Sequence, residues 1–466
     1  MVPALLLSFQ FRRRWRLANA VHLAASSRRD RHQNREQFVT RKSRIWLIPF
    51  AAAAGLITAV SFLAFFNAVP QPMRVAEGLT SIPEIGSREF RHLQSVVLGS
   101  AAVPGNRIEI LENGEEIYPA MLEAIGNATR SITFETYEYW GEEIGGALAE
   151  SLASAAERGV AVHATFDYLG SVAASADLFD RMKDAGVEVV RWREPSWYQL
   201  SRFNYRTHRK LLVVDGEIGF TGGANVADAW MGSPETGGYR DTHYRFEGPV
   251  VAHLQNAFLQ NWLNARQQLL YATEYFPLLE DAGDLEIKIV SSSPREGTHR
   301  IRLMMLLAIA GARDSIRLAT AYFYPDDMIM DALLDARERG VSVDLLLASP
   351  EHYSTAVREA SKNRWGKLLE ADVRIHEYQP SKLHAKLFIV DDYWVSIGSA
   401  NVDNRSFRLN DETNAIIMDH ELAATLISQF GRDLEQAETY DLERWQERPW
   451  TRRLLGWLTM TAGWHI

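Results

Sequence analysis

The sequence THRKLLVVDGEIGFTGGAN, from Thr207 to Asn225, decides the fold, because most of it recurs from Leu383 to Asn401 as LHAKLFIVDDYWVSIGSAN. Both copies read His-x-Lys, four residues, Asp, six residues and then Gly-[Gly/Ser]-Ala-Asn. Coincidence is a poor explanation for a matched pair with the same tail. The repeat therefore predicts an internal duplication within one chain.

Each His-x-Lys precedes a β-branched, apolar run, LLVV or LFIV, that is typical of a buried strand. Because side chains at positions i and i+2 of a strand point to the same face, His208 projects together with Lys210, and His384 with Lys386. The Gly-[Gly/Ser]-Ala-Asn tail predicts a tight turn at which the backbone can approach a ligand. Two such units facing each other would offer two imidazoles, two ammonium groups and two amides to one anion.

Both copies resemble the HKD motif of the phospholipase D superfamily. Their context, RDTHYRFEGP after the first copy and NRSFRLNDE after the second, resembles the bacterial cardiolipin synthase branch. The resemblance runs from about Ile108 to about Trp450. It implies an α/β protein with two duplicated phospholipase D-like α/β units packed about a pseudo-twofold axis, so that the two motifs share one active site.

The predicted elements around the motifs also repeat. In the first unit, IYPAMLEAIGNATR has helical spacing, SITFETYEYW predicts a strand, GGALAESLASAAERG predicts a helix and VAVHATFD predicts a strand. The second unit repeats this order as IRLMMLLAIAGARD, SIRLATAYFYP, DDMIMDALLDARERG and VSVDLLLAS. This alternation predicts βα units and a parallel-rich sheet.

Composition and pattern divide the 466 residues into consecutive parts. They are a basic segment (1–44), a transmembrane helix (45–66), a linker (67–100), a first unit (101–290), a second unit (291–450) and an amphipathic segment (451–466). The absence of cysteine excludes a disulfide scaffold and a thiolate metal site.

The transmembrane prediction rests on residues 45–66, IWLIPFAAAAGLITAVSFLAFF, which contain no charge over 22 residues. An apolar helix of that length crosses a bilayer, although a buried core helix or a cleaved signal peptide would also be apolar. Residues 1–44 carry a net charge of +9, which leaves −18 for the remainder of a chain whose total is −9. The positive-inside rule then predicts that this single span leaves the catalytic part on the non-cytoplasmic side, and the resemblance implies that the membrane is the bacterial inner membrane.

The motif residues suit phosphodiester chemistry without a metal ion or other cofactor. Lys210 and Lys386 can supply fixed positive charge to the transition state, and they would repel a cation. Histidine can serve as nucleophile or acid near neutral pH. The resemblance implies that one histidine attacks phosphorus to give a phosphohistidine, while the other protonates the leaving alcohol and then activates the acceptor. We assign His208 as the nucleophile and His384 as the acid and base, and the exchanged assignment stays open.

Each imidazole needs a group that orients its other nitrogen. The resemblance implies a carboxylate roughly thirty residues past each histidine, which lands on Asp241 and Glu412. Two other histidines, His243 and His253, are interpreted as structural.

Four further motif residues complete the predicted site. Asp215 and Asp391 end the motif strands and are expected to hold neighbouring loops. Asn225 and Asn401 are expected to donate to phosphate oxygens.

Several residues near the motifs leave two interpretations open. An aromatic set at corresponding places in the two halves predicts an acyl-chain groove or core packing: Tyr137, Tyr139, Trp140, Tyr322, Phe323 and Tyr324. Glu135 and Glu138 suit a polar pocket or a strand end. The final stretch, RPWTRRLLGWLTMTAGWHI, suits a helix in a membrane interface or a helix packed on the domain.

The resemblance implies a membrane-anchored phosphatidyltransferase that joins two phosphatidylglycerols into cardiolipin and releases glycerol. The alternatives are a hydrolase acting on phospholipid or nucleic acid, and a non-catalytic membrane scaffold. A charge of −18 after residue 44 disfavours nucleic acid, and two intact motifs disfavour the scaffold. The predicted partners are therefore phospholipid and membrane, without nucleic acid or an obligatory protein partner.

Overall fold

The computed structural model describes residues 49–61, 81–194, 204–349 and 355–461, and the chain divides into two units, 1–68 and 69–466. In the first unit, residues 49–61 form a helix, α1. The rest of the predicted transmembrane segment, residues 45–48 and 62–66, lies outside the described residues, as do residues 1–44. Within the described ranges, no helix is both long enough and apolar enough to span a membrane.

The second unit contains two halves with the same order of strands. The first half has β1 (Val103–Glu112), β2 (Ser131–Thr136), β3 (Ala161–Asp167), β4 (Glu188–Trp192), β5 (Arg206–Thr207), β6 (Leu211–Val214), β7 (Ile218–Gly222) and β8 (Thr242–Glu247). The second half has β9 (Leu285–Ser292), β10 (Ser315–Thr320), β11 (Phe323–Tyr324), β12 (Ser342–Ala348), β13 (Arg374–Tyr378), β14 (Leu387–Val390), β15 (Trp394–Gly398), β16 (Val402–Asp403), β17 (Asn410–Met418) and β18 (Ala437–Thr439).

The helices follow the same duplication. Those before and within the first half are α2 (Arg88–Leu98), α3 (Asn113–Asn127), α4 (Ile144–Glu157), α5 (Ala176–Asp184) and α6 (Val251–Arg266). Those of the second half and the C-terminal segment are α7 (Arg300–Gly311), α8 (Asp327–Glu338), α9 (Thr355–Glu370), α10 (Asn404–Arg408), α11 (His420–Glu435), α12 (Leu442–Gln446) and α13 (Trp450–Thr461). Helix α2 falls in the predicted linker, and its Phe90 and Leu98 are buried in the core of the second half.

One continuous sheet joins the halves through β1 and β9, which pair antiparallel at Val103 and Ile287. Outward from this seam the order is β1-β8-β7-β6-β2-β3-β4 on one side and β9-β17-β15-β14-β10-β12-β13-β18 on the other. Each strand of the first order therefore has a counterpart in the second. This arrangement is the predicted pair of duplicated α/β units related by a pseudo-twofold axis.

The prediction of a parallel-rich sheet is wrong for the strands that carry the motifs. The strands β2-β3-β4 and β10-β12-β13 run parallel, as do β5 and β17, whereas β6 and β7, like β14 and β15, are antiparallel hairpins. Three-residue connections, 215–217 and 391–393, separate these hairpin strands. A connection that short cannot return the chain for a parallel pairing.

The motif strands are buried on both faces, which explains their uninterrupted apolar sequence. Leu211 and Val213 pack in a core shared by both halves and covered by α6 and α11. Leu212 and Val214 pack on the other face against residues of α3 and α4. The sheet is thus a central layer buried on both faces, and each motif histidine lies just before a hairpin of this layer.

Candidate active site

The backbone before each motif histidine is held by the opposite half. Strand β5 pairs in parallel with the start of β17, so that the His208 amide donates to the carbonyl of Asp411 at 2.9 Å. In the same way, the His384 amide donates to the carbonyl of Arg240 at 2.7 Å. Because these two contacts are equivalent, the duplication places each histidine beside the strand that follows the other motif.

The orienting carboxylates are exchanged between the halves. The Nδ1 atom of His208 lies 3.0 Å from both carboxylate oxygens of Glu412. The Nδ1 atom of His384 lies 2.8 Å from Oδ2 of Asp241. The resemblance to the phospholipase D superfamily implied both carboxylates, but it did not indicate that each one contacts the histidine of the other half.

Each carboxylate is itself fixed by neutral donors. Glu412 accepts from the hydroxyls of Ser399 at 2.5 Å and Ser406 at 2.7 Å. Asp241 accepts from the indole of Trp230 at 2.9 Å and from the backbone N–H of Thr242 at 2.8 Å. Trp230 and Ser406 were missed by the sequence analysis, because no spacing rule links them to the motifs. Such outer contacts fix the direction in which each carboxylate holds its imidazole.

The two lysines lie close to their histidines, as the i and i+2 spacing requires. Lys210 donates to the carbonyl oxygen of His208 at 2.8 Å. Lys386 donates to the carbonyl oxygen of His384, and its Nζ also lies 2.8 Å from Nδ1 and 3.2 Å from Nε2 of that ring. Both ammonium groups are buried at the site.

Burial sets the protonation of these groups. Burial lowers the pKa of His208 to about 4, although the charge of Glu412 opposes this. Burial and the charge of Lys386 both lower the pKa of His384, which lies well below its ordinary value. Burial also lowers the pKa of Lys210 to about 8 and that of Lys386 to about 7. Near pH 7 the imidazoles are therefore neutral.

Both carboxylates are ionised in this setting. Burial alone would raise their pKa values, but the histidine partners and the lysines outweigh it and lower the pKa of Asp241 and of Glu412. A neutral imidazole whose Nδ1–H donates to an ionised carboxylate keeps a lone pair on Nε2. This is the tautomer that a nucleophile or a general base requires.

Both histidines line one cavity of about 270 Å³. Its lining also includes the two predicted amides, Asn225 and Asn401. The side-chain oxygen of Asn225 accepts from the Glu138 N–H at 3.2 Å, and that of Asn401 accepts from the Thr320 hydroxyl at 3.4 Å. With their oxygens engaged in this way, both side chains can turn their NH₂ groups to an anion in the cavity.

Asp215 and Asp391 lie outside the lining of this cavity. Asp215 accepts from backbone N–H groups of residues 129–131 at 2.7 to 2.9 Å, and Asp391 accepts from those of residues 313–315 at 2.8 to 3.0 Å. Both adopt left-handed φ angles, 55° and 52°. The contacts tie each motif hairpin to the loop before its neighbouring strand.

The aromatic set separates into two groups. Tyr137, Tyr322, Phe323 and Tyr324 line the cavity, together with Glu138. Tyr139 and Trp140 instead pack in the core of the first half. Glu135 is fully buried outside the cavity, where it accepts from the side chains of Thr207 and of Asn261, the latter at 2.6 Å.

Two cavity residues missed by the sequence analysis are Arg206 and Lys382, which stand two positions before each histidine. A signal for them existed, since the same face of an extended chain carries positions i and i+2. Lys382 lies 3.4 Å from the Tyr322 hydroxyl. His243 and His253 are absent from the lining of this cavity, and burial lowers the pKa of His243 to about 4.

The described ranges contain no group of three or more His, Asp and Glu side chains arranged to hold a metal ion. The positive charge of the cavity lining comes from Arg206, Lys382 and Arg405, and Glu138 and Asp403 also line the cavity. The two motif lysines lie behind the lining, where each donates to the carbonyl of its histidine. The arrangement can bind a phosphate and can move protons at two imidazoles.

The family described as "Cardiolipin synthase, PLD-like domain" matches residues 121–262 and 305–434. Major cardiolipin synthase ClsA of Bacillus subtilis is 35% identical over 353 residues, which cover 74% of this chain and 73% of the relative. Cardiolipin synthase A of Pseudomonas syringae is 35% identical over 358 residues, which cover 76% and 73%. The crystal structure of phosphatidylserine synthase from Haemophilus influenzae has the same fold, with a TM-score of 0.63 at 13% identity over 81% of this chain and 100% of that chain.

Proposed function

Because the chain belongs to the cardiolipin synthase family of phospholipase D-like proteins, we propose that it joins two phosphatidylglycerols into cardiolipin and releases glycerol. One observation carries the proposal. The two histidines line a single cavity, and each has its Nδ1 on a buried carboxylate of the opposite half. A phosphodiester in that cavity would meet a nucleophile and an acid on the same phosphorus.

In the first step, Nε2 of His208 attacks the phosphorus of one phosphatidylglycerol. The N–P bond forms, the bond from phosphorus to the glycerol oxygen breaks, and protonated His384 gives its proton to that oxygen. The anionic phosphate favours the protonated form of His384 when it binds. Glycerol leaves, and a phosphatidyl-histidine remains.

In the second step, the headgroup hydroxyl of another phosphatidylglycerol attacks the same phosphorus. His384, now neutral, takes the hydroxyl proton, the N–P bond breaks, and cardiolipin forms with His208 restored. Lys210, Lys386 and the amides of Asn225 and Asn401 stabilise the charge on the phosphate oxygens in both transition states. Protons and bonds balance without a metal ion.

The assignment of His208 as the nucleophile is supported by the surroundings of the two Nε2 atoms. Among the residues that the structure describes, His208 Nε2 has no hydrogen-bond partner, whereas His384 Nε2 lies 3.2 Å from the Lys386 ammonium. A cation beside the ring withdraws electron density from it and so disfavours attack by His384. It also gives His384 a nearby source of a proton.

We further propose that residues 45–66 anchor the protein in a bacterial inner membrane, with the basic segment 1–44 in the cytoplasm and the active site on the other side. The absence of charge over 22 residues and the helix at 49–61 support the anchor. Protease accessibility of a tag fused after Ile466, in spheroplasts and in inverted vesicles, tests the orientation. Protection in spheroplasts would overturn it.

The activity is tested with the purified full-length protein and phosphatidylglycerol vesicles, with lipid products identified by mass spectrometry and glycerol assayed enzymatically. We expect one glycerol for each cardiolipin. The His208→Ala variant serves as the matched control and should form neither product. Phosphatidic acid without cardiolipin would show that water is the acceptor and would overturn the transferase proposal.

A further inference from the structure

Helix α13 is fixed on the outside of α9 by close contacts. A Cβ added at Gly456 would lie 2.4 Å from the carbonyl oxygen of Glu359, so only glycine allows the two helices to approach this closely. The side-chain amide of Asn363 donates to the carbonyl of Arg453 at 3.0 Å. The indole of Trp445, just before α13, donates to the carbonyl of Lys362 at 2.6 Å. Helix α13 is therefore packed on the domain, and its outer face can still lie in a membrane interface, so the two interpretations from the sequence are compatible.

That outer face is apolar and exposed. Trp450, Leu454 and Trp457 have exposed fractions of 73%, 45% and 59%, and their spacing of i, i+4 and i+7 places them in one stripe along the helix. Arg453 is exposed beside the stripe, and its guanidinium donates to the carbonyls of Arg448 and Gln446. Exposed tryptophan and leucine with a guanidinium group beside them are typical of a helix that lies in the headgroup region of a bilayer.

The stripe lies close to the active-site cavity. Val357 and Ser361 of α9 line the cavity, whereas Glu359 and Asn363 of the same helix contact α13. A difference of two positions turns a side chain by about 200° around a helix, so the two sets point to opposite sides. Only the thickness of α9, about 10 Å, separates α13 from the cavity wall.

The other half also exposes apolar side chains beside the cavity. Leu169 and Val172 are exposed in the loop after β3, which is the counterpart of the segment that leads into α9. That loop packs against Tyr137, a residue of the cavity lining, through the close approach of Gly170 to the Tyr137 carbonyl. Apolar groups thus flank the cavity on both halves.

We propose that the stripe Trp450, Leu454 and Trp457 docks on an anionic phospholipid surface and holds the cavity against the headgroups of its substrates. The proposal deepens the proposed function and rests on it for the identity of the substrate. Arg453 beside the stripe selects this occupant, because a guanidinium group next to exposed tryptophans attracts anionic headgroups, whereas the remainder after residue 44 has a net charge of −18. A second copy docked through the same helix would bring the same guanidinium groups together, which disfavours a dimer at this face.

The docking is tested directly by site-specific labelling, since the chain has no cysteine. Leu454→Cys and, as the control, Tyr271→Cys each receive a polarity-sensitive fluorophore in the full-length protein reconstituted in phosphatidylglycerol and phosphatidylcholine vesicles. Tyr271 is an exposed aromatic residue between the two halves. We expect nitroxide-labelled lipids to quench the label at position 454 and to leave the label at 271 unquenched. Equal quenching at both positions, or no quenching of the label at 454, would overturn the proposal. So would a change in the fluorescence of the label at 454 that depends on protein concentration in the absence of lipid, because that would indicate a second copy of the chain as the occupant.

A second measurement connects docking to turnover. The triple variant Trp450→Ser, Leu454→Ser and Trp457→Ser should lose about tenfold in rate on vesicles, with an unchanged rate on substrate dispersed in detergent micelles. The control triple variant, Leu269→Ser, Tyr271→Ser and Leu278→Ser, removes other exposed apolar side chains and should keep both rates. An equal loss in vesicles and micelles would contradict docking. If the label at 454 is quenched while no cardiolipin forms, the proposed function fails and the docking stands.

Discussion

Each half presents a tyrosine, a basic residue, a histidine and an asparagine to the cavity, but the two halves support the histidines with different layers. Glu135 on β2 and Ala319 on β10 occupy the same register position beside the motif hairpins. Thr207 precedes the first histidine, and Leu383 precedes the second. The first half therefore has polar residues at positions where the second half has apolar ones.

The polar layer of the first half is a buried network around Glu135. Its carboxylate accepts from Thr207 and Asn261, and burial raises its pKa to about 7 although the charge of Arg209 opposes this. In the second half, the equivalent side chains are part of the shared apolar core: Ala319, Leu383 and Ala385.

This difference separates the residues that the proposed reaction requires in both halves from the residues that only support them. The histidines, lysines and carboxylates are duplicated, as the proposed reaction requires if the two imidazoles act at one phosphate and the other groups hold or charge them. The layer behind them contacts only protein, so polar and apolar packing can serve equally well. Substitution of a cavity histidine in either half should therefore greatly reduce the rate. Substitution in the polar supporting layer, which only the first half contains, should change the free energy of unfolding.

The largest effect is expected for the histidines. His208→Ala and His384→Ala should each reduce cardiolipin formation by about 10⁵-fold, because neither the nucleophile nor the acid can be replaced by water. The double variant should be no worse than either single variant, since the two groups act in one reaction. Rates from phosphatidylglycerol vesicles measure this, and a single variant with appreciable activity would break the equivalence of the halves.

The contact of each carboxylate with the histidine of the opposite half is tested by comparing substrates with different leaving groups. Asp241→Asn and Glu412→Gln should each lower the rate on phosphatidylglycerol by about 10³-fold. With a 4-nitrophenyl phosphodiester, whose leaving group needs no proton, the burst of nitrophenolate should be restored in Asp241→Asn and should stay low in Glu412→Gln. This follows because Asp241 holds His384, the acid, and Glu412 holds His208, the nucleophile.

His384→Ala and His208→Ala are the matched controls for this measurement. His384→Ala should behave like Asp241→Asn, and His208→Ala like Glu412→Gln. The opposite pattern, with the burst restored in Glu412→Gln and His208→Ala, would show that His384 is the nucleophile and His208 the acid. It would still agree with each carboxylate holding the histidine of the opposite half. A carboxylate variant that matches the histidine of its own half would contradict the exchange.

The lysines predict a bell-shaped dependence of rate on pH. The rate should rise as pH passes through about 4, where His208 loses its proton and becomes a nucleophile. When phosphatidylglycerol is saturating, so that bound phosphate keeps His384 protonated, the rate should fall as pH rises through about 7 to 8, where Lys386 and Lys210 lose the charge that stabilises the transition state. Lys386→Arg keeps its charge at every accessible pH, so the falling limb should move to the higher pKa of Lys210. An unchanged limb near pH 7 would show that Lys386 does not control it.

The smallest effect is expected for the supporting layer. Because the folded-state pKa of Glu135 is raised from 4.5 to about 7, folding favours its protonated form. This group therefore lowers the free energy of unfolding as pH rises from 4.5 to 7, by up to about 3 kcal/mol. Glu135→Gln should be less dependent on pH over that range, as measured by denaturant unfolding at pH 5 and pH 7.5. Parallel pH profiles for the two proteins would contradict the assignment.

The sequence predicted the duplication and both histidine–lysine pairs, because spacing along a strand fixes which side chains share a face. It did not predict that Glu412 serves His208, since that contact depends on the pairing of β5 with β17 across the halves. The mixed pairing of the sheet was missed for a related reason. Helix and strand patterns indicated βα units, but the short turns at 215–217 and 391–393 determine that the motif strands pair antiparallel.

Supporting residues such as Trp230 and Asn261 could not be found from sequence, because each contacts the site only through tertiary packing. Arg206 and Lys382 were within reach of the same i and i+2 argument that paired each histidine with its lysine. For the C-terminal helix, composition could not determine which face packs on the domain. Its apolar and basic residues suited two environments, and the close contact at Gly456 was needed to distinguish the packed face from the exposed one.

The central claim is that the duplicated halves place two imidazoles on one phosphorus. A crystal structure of the protein with bound orthovanadate, which adopts the geometry of a phosphoryl-transfer transition state, tests it most directly. The account predicts one vanadium in the cavity, bonded to Nε2 of His208 on one side, with Nε2 of His384 within hydrogen-bond distance of the oxygen on the opposite side. Vanadate bound to only one half, or two vanadates in separate sites, would contradict it.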